Sequence, residues 1–282
     1  MRRQRPSRPP VWRRSGGFAL LVVLWTLVLI AFIVAHLTAS GRTEIRIAGN
    51  LVADAVAEAA DDGAIFAAIF NQMDPDPSRH WPLNGPTHEL TIGNSRVTVR
   101  LEDEAGRINP NSASPALLEA LLVATGSDPE SARRLAEAIG EWVGSAQFTQ
   151  PQQAVLAEYQ AAGLDYGPPG APLETLDELG RVLGMTPAVL AAIRPHLTLF
   201  GPPQPNPTAA DPVVAAALAA IPQAPQAAVP ANQPPPDLLT VRITATASGP
   251  GNAHVTRTAI ARIGAMLPRG YTVLAWGSSG FD

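Results

Sequence analysis

The 282-residue sequence contains no cysteine and no lysine, and only 5% of it is aromatic. The missing cysteine rules out a disulfide scaffold, a thiol nucleophile and a cysteine zinc site. No GxSxG, P-loop, HExxH or dinucleotide-type glycine motif occurs, so no familiar catalytic signature is written in the chain. The five histidines, His36, His80, His88, His196 and His254, fall in different segments without an i, i+4 pair, which argues against zinc.

Other absences are regional. Residues 1–17 hold six arginines and no acid, for +6, whereas from Phe18 onward fourteen arginines face 24 acids, for −10. A basic tip on an acidic body is a poor design for a polyanion binder, whose ligand-facing domain should be the basic part. Proline, at 29 residues about twice its usual share, is missing from 18–70 and crowded into 201–236, which hold 11. Formal charge is missing from the 20 residues Phe18–Leu37. As a helix rising about 1.5 Å per residue this run reaches across roughly 30 Å of hydrocarbon, and it is too long for the apolar region of a signal peptide. Six arginines before it against Arg42 and Arg46 after it place the N-terminus in the cytoplasm and the acidic body across the membrane.

Beyond the span, Ile45, Ala48, Val52, Ala55, Val56, Ala59, Ile65, Ala68 and Ile69 recur at helical spacing, with Glu44, Arg46, Asp54, Glu58 and Asp61 between them. The pattern predicts one helix from Phe18 to about Phe70, with Gly41, Gly49 and Gly63 as places to bend. Period-two alternation then predicts a hairpin over Glu89–Glu102, turning at Gly93-Asn94, and three late strands at Leu239–Ala247, His254–Ile263 and Tyr271–Trp276. The block Gly106–Ile221 between them reads as almost wholly helical. Ser114-Pro115, Asp128-Pro129, Thr186-Pro187 and Asp211-Pro212 each put an N-cap before a first-turn proline. Asn109-Pro110-Asn111-Ser112-Ala113 is echoed by Asn206-Pro207-Thr208-Ala209, a faint internal repeat. Residues 222–237 read as a Pro-rich linker.

The junction Arg13-Arg14-Ser15-Gly16-Gly17-Phe18-Ala19-Leu20-Leu21 resembles a type IV prepilin-like leader. Thr43-Glu44 and three further segments extend the likeness: Asp103-Glu104-Ala105-Gly106-Arg107-Ile108-Asn109, Gly163-Leu164-Asp165-Tyr166, and Asp177-Glu178-Leu179-Gly180-Arg181-Val182-Leu183-Gly184-Met185. With these the chain resembles the protein K family of the type II secretion system, the large minor pseudopilins. That resemblance implies cleavage by prepilin peptidase between Gly17 and Phe18, with Phe18 then N-methylated. It implies an α+β fold: a pilin-like transmembrane and stalk helix packed on an antiparallel sheet, with a large helical domain, helix-hairpin-helix or SAM-like, inserted into the sheet. The implied segments are 1–17 leader, 18–40 transmembrane helix, 41–105 stalk and first strands, 106–221 inserted helical domain, 222–237 linker and 238–282 last strands.

Val22 stands where most pilins carry glutamate, five residues after the cleavage point. In those proteins the carboxylate meets the N-terminal amine of a neighbour, which offsets the cost of a charge in lipid. A subunit with nothing packed above it has no such partner, so the resemblance implies the pseudopilus tip. It further implies minor pseudopilins I and J, other pseudopilins, prepilin peptidase and the inner-membrane assembly platform as partners, with no cofactor required and no nucleic acid. Some members bind calcium, for which Asp61-Asp62, Asp74 with Asp76 and Glu102-Asp103-Glu104 offer oxygen ligands without an EF-hand spacing.

Two rival classes remain. Gly126-Ser127-Asp128 and Gly184-Met185-Thr186 look like helix-hairpin-helix turns, which would suit a membrane-anchored DNA-uptake protein. Against it, five arginines and 11 acids between Glu104 and Phe200 leave −6, opposing the counterion release that drives DNA binding. The other rival, a membrane-anchored periplasmic enzyme, lacks any selected catalytic set, so no enzymatic role is expected. Trp81, Trp142 and Trp276 read as core or interface anchors and Trp25 lies in the span.

Overall fold

In a computed structural model the described residues are 16–145, 152–221, 238–249, 251 and 253–278. The predicted leader up to residue 15 and the linker 222–237 lie outside them. The chain divides into two units, Met1–Ala53 and Asp54–Asp282.

A single helix, α1, runs over Gly16–Gln72 without a break at Gly41, Gly49 or Gly63. No proline interrupts its hydrogen-bond ladder, and Pro75 closes the sequence beyond it. In the first unit α1 is apolar on every side over Phe18–His36, long enough to span a bilayer and exposed throughout.

Among the described residues the second unit is built on five strands: β1 (His88–Ile92), β2 (Ser95–Asp103), β3 (Leu239–Ser248), β4 (His254–Ile263) and β5 (Tyr271–Gly277). They pair in chain order, every neighbour antiparallel. Gly93 opens the β1–β2 turn with φ +58°, the first position of a II′ hairpin, where a side chain would be strained. On one face Val97, Val99, Leu101, Val241, Ile243, Ala245, Ala247, Ala259 and Ala261 are buried, matching the predicted alternation.

The end of α1 lies across that sheet. Gly63 stands beside Ile92 on β1, while Phe66 meets Trp276 and Phe70 meets Tyr271 on β5, with ring centroids 5.5 and 6.4 Å apart. Ala57, Ala60, Ala64 and Ala68 are buried with Ile65 and Ile69. Their small side chains let the helix axis approach alanine-rich strands closely. The predicted face is thereby corrected. Ile65, Ala68 and Ile69 do go inward, but Ala48, Val52, Ala55, Val56 and Ala59 are exposed, and Asp61, placed among the polar positions, is fully buried.

Between paired strands β2 and β3 the described residues make five α-helices: α2 (Pro115–Ala124), α3 (Pro129–Trp142), α4 (Gln152–Ala161), α5 (Pro187–Ile193) and α6 (Pro212–Ala220). All four predicted proline starts are real. Ser114 accepts from Leu117 N–H, Asp128 from Ser131, Thr186 from Val189, and Asp211 from Val213 and Val214. The faint repeat is real too. Asn109 accepts from the amide of Asn111, Asn206 from that of Thr208, and each carbonyl takes two further amides before the next helix. Leu117, Leu121, Leu122, Leu135, Ile139, Trp142, Tyr159, Leu176, Leu179 and Ile193 form the core of the block. The block is less helical than predicted, since Leu176–Arg181 is a 3-10 stretch and residues 164–175 form no helix. Glu178, reaching back to the amides of Glu174 and Thr175, holds that shorter form.

Candidate functional site

Two parts of α1 bear on function, one in each unit. In the first, Gly17 lies in the first turn of the helix as described, Phe18 is exposed, and Val22 sits among exposed apolar side chains. No residue of Phe18–His36 carries a formal charge, and Thr26 satisfies its hydroxyl within the helix by donating to the Val23 carbonyl, 2.8 Å away. Trp25 is exposed on this segment. The cleavage junction itself extends into residues outside those described.

In the second unit α1 has a second apolar stripe that stays exposed, although Gly63, Phe66 and Phe70 in it touch the outer strands β1 and β5. Val56, Ala59, Gly63, Phe66 and Phe70 follow one another at intervals of three and four, the spacing of a single helix stripe. All are exposed; Val56, Phe66 and Phe70 at 42%, 38% and 61%. A helix apolar on both faces is normally covered on both. Here the sheet covers one and meets the other only at its outer strands.

The remaining candidate residues are tied up locally. Asp74 and Asp76 cap the turn Pro77–Arg79, and hydrogen bonds from Ser78 hold Asp76 below the usual carboxylate range. The sequence neighbours Glu102, Asp103 and Glu104 point to different partners. Glu102 pairs with Arg107 at 2.8 Å, and Asp103, pushed up by burial, accepts from the amide of Ala105. Glu104 is fully buried; it takes a hydrogen bond from Arg242 Nε at 2.6 Å and one from the Thr198 hydroxyl, with Arg107 3.7 Å away. This junction joins the root of the helical block to β3 and was not foreseen in the sequence. Its signal was an arginine within the apolar alternation of Val241-Arg242-Ile243.

Around the same roots Ile108 forms a parallel bridge with Leu197, and Gly106 lies so close to Ala209 that an added Cβ would stand 2.2 Å from its carbonyl oxygen. Beside them a cleft of about 560 Å³ is lined by Arg100, Glu102, Arg107, His196 and Asp211, whose charges are already paired, His196 with Asp211 at 2.7 Å. Among the described residues no three His, Asp or Glu side chains come together as a metal cage.

The two hairpins direct their polar groups inward. Gly126, with φ +102°, turns the chain so that its amide bonds Val123 and that of Ser127 bonds Leu122. The Asp128 carboxylate occupies the start of α3, kept ionised to lower pH by Ser131. At the second hairpin the Met185 amide bonds Val182 and Thr186 caps α5. The amides of Gly126, Ser127 and Met185, which a phosphate would compete for, are therefore engaged within the protein. Of the tryptophans, Trp142 packs against Tyr159 and Tyr166 in the block core, Trp276 meets Phe66, and Trp81 stacks on His88 with centroids 4.6 Å apart.

Comparison with known proteins fits this geometry. Residues 97–203, which run from β2 to the second root of the block, match the profile of type II secretion system protein K. Over this segment the chain is similar to the protein K family. The fold is similar to that of a chain in the crystal structure of the GspK-GspI-GspJ complex from the enterotoxigenic Escherichia coli type 2 secretion system. The match has a TM-score of 0.54 at 16% identity and covers 85% of this chain and 99% of that one. No curated protein sequence matches the chain. Among the described residues one helix, near the N-terminus, is long and apolar enough to span a membrane, and the rest is a mixed helix and antiparallel-sheet fold whose middle segment is similar to a secretion-system family.

Proposed function

We propose that this protein is a minor pseudopilin of the type II secretion system, anchored by Phe18–His36 in the inner membrane with its body in the periplasm. The observation that carries the reading is the second apolar stripe of α1, Val56 to Phe70, which stays exposed where the protein's own sheet touches it only at its outer strands. Such a face suits packing beside the helices of other pseudopilins, with I and J as the immediate partners. Val22, where a glutamate would need a neighbour's amine, suits a subunit at the tip that helps to start assembly. The helical block, of helix-hairpin-helix or SAM-like type, acts as a packing module beyond the sheet, and the protein does mechanical rather than catalytic work.

Prepilin peptidase would cut after Gly17, leaving Phe18 as the methylated N-terminus, and the assembly platform would draw the mature helix out of the membrane. Calcium is not needed in this reading, because Asp74, Asp76, Glu102, Asp103 and Glu104 are engaged by arginines, hydroxyls and backbone amides. A chelator is therefore expected to leave the melting of the full chain unchanged.

The test is processing followed by capture. Expressed with prepilin peptidase, the wild-type chain should yield a mature N-terminus at Phe18 and co-purify with pseudopilins I and J, while Gly17→Asp should remain unprocessed. Normal processing of that variant refutes the leader. Retention of duplex DNA at physiological salt in place of the pseudopilins would favour a DNA-uptake role.

A further inference from the structure

Asp61 is the one fully buried carboxylate on α1 among the described residues, and neither of its oxygens has a hydrogen-bond partner there. It lies one turn from Ala57 and Ala64, within the small-residue surface that seats α1 on the sheet. The charges acting on it are Asp62 and Glu58 from its own helix and Arg257 from β4. Arg257 is already held by others: it pairs with Glu58, and its Nε stands 3.1 Å from Asp62 without the alignment of a hydrogen bond. One guanidinium thus faces three carboxylates. Two of them share it, and the third sits where no water or donor reaches.

A carboxylate left ionised in that position would bear the full cost of desolvation, and the protein can avoid this only by protonating it or by opening the seam. We propose that Asp61 is seated as the neutral acid, so that the packing of the α1 stalk on the sheet is a pH-sensitive seam, tight in mild acid and loosened as the pH rises. Burial first, then the neighbouring Asp62, pushes the group up to about 7, and Arg257 only partly opposes them. The sign follows. Because the folded protein holds the proton more tightly than the unfolded chain, the stabilisation is complete below the ordinary carboxylate range. It falls away as the pH climbs from about 4 to about 7. This holds whether or not the chain joins a pseudopilus.

The test uses the full chain in detergent. Thermal melting of the wild type and of Asp61→Asn, a neutral near-isostere, is followed from pH 5 to pH 8, with Asp62→Asn as the control at the half-exposed neighbour. The wild type should melt several degrees lower at pH 8 than at pH 5, Asp61→Asn should lose most of that slope, and Asp62→Asn, which removes only the second cause, should keep more of it than Asp61→Asn. A second readout is independent of stability: the infrared carbonyl band of a protonated carboxyl should persist toward neutral pH in the wild type and be absent from Asp61→Asn. Equal slopes in the wild type and Asp61→Asn, or loss of that band already below pH 5, would overturn the proposal.

Discussion

In the helical block each helix that begins with proline is capped by the residue immediately before it, whereas the sheet closes through pairs such as Asp103 with Val241, far apart in the chain. The block is specified by short-range signals that act one helix at a time. Half of the sheet depends on residues that meet only after the block has been traversed. The two are joined by a buried ion pair, Glu104 with Arg242, where both kinds of specification have to agree.

The largest effect should therefore come from breaking that junction. Arg242→Leu leaves Glu104 buried with Arg107, 3.7 Å away, as its remaining cation, and is expected to cost about 3–5 kcal/mol in a chemical unfolding curve. Adding Glu104→Met should recover most of the loss, because removing both charges also removes the unpaired one. If the single and double variants unfold alike, the pair is not what joins the two regions. Next in size is Gly106→Ala, whose methyl would press on the Ala209 backbone at the same root. About 1–3 kcal/mol is expected, with no change in the block's own helix content by circular dichroism.

A purely local change should cost less. Ser114→Ala removes one N-cap and should lower stability by about 1 kcal/mol, spread over α2 and its contacts rather than over the sheet. The smallest effect on stability is expected on the open face of α1. Val56→Glu should change the unfolding free energy by less than about 0.5 kcal/mol, since the side chain already faces solvent. Cross-linking to pseudopilin partners is where that variant should fail. An unfolding loss comparable to that of Ser114→Ala would show that Val56 is covered by the protein's own sheet.

The same contrast explains what could be read in advance. The four proline starts, the Asn109 and Asn206 turns and the β1–β2 hairpin were legible because each needs only a few adjacent residues. The strands were legible because one face is buried and alternation marks it. The inward face of α1 was not. Ala57, Ala60, Ala64 and Ala68 lie on one side, Val56, Ala59, Phe66 and Phe70 on the other, and both are apolar. Periodicity finds the helix but cannot choose between two hydrophobic sides, and the sheet prefers the smaller residues that permit a close approach. Asp61 was misplaced for the same reason: its charge suggested water, while the register of the alanines carried it inward. Glu104 looked like one member of an acidic run, and only the fold brings Arg242 to it from 138 positions away.

The order of elements also implies an order of folding. Strands β3 to β5 follow the helical block in the chain, so the sheet cannot be completed until the block has been made. A helical block that forms early brings its two roots together, through Ile108 and Leu197 among others, and leaves only the stretch Ile221–Leu239 to be closed by diffusion. Replacing a loop the length of the whole insertion by that short one lowers the closure cost by roughly 2 kcal/mol. The insertion would then act as an internal template, and until β3 arrives β2 is left with an unpaired edge that invites wrong pairing.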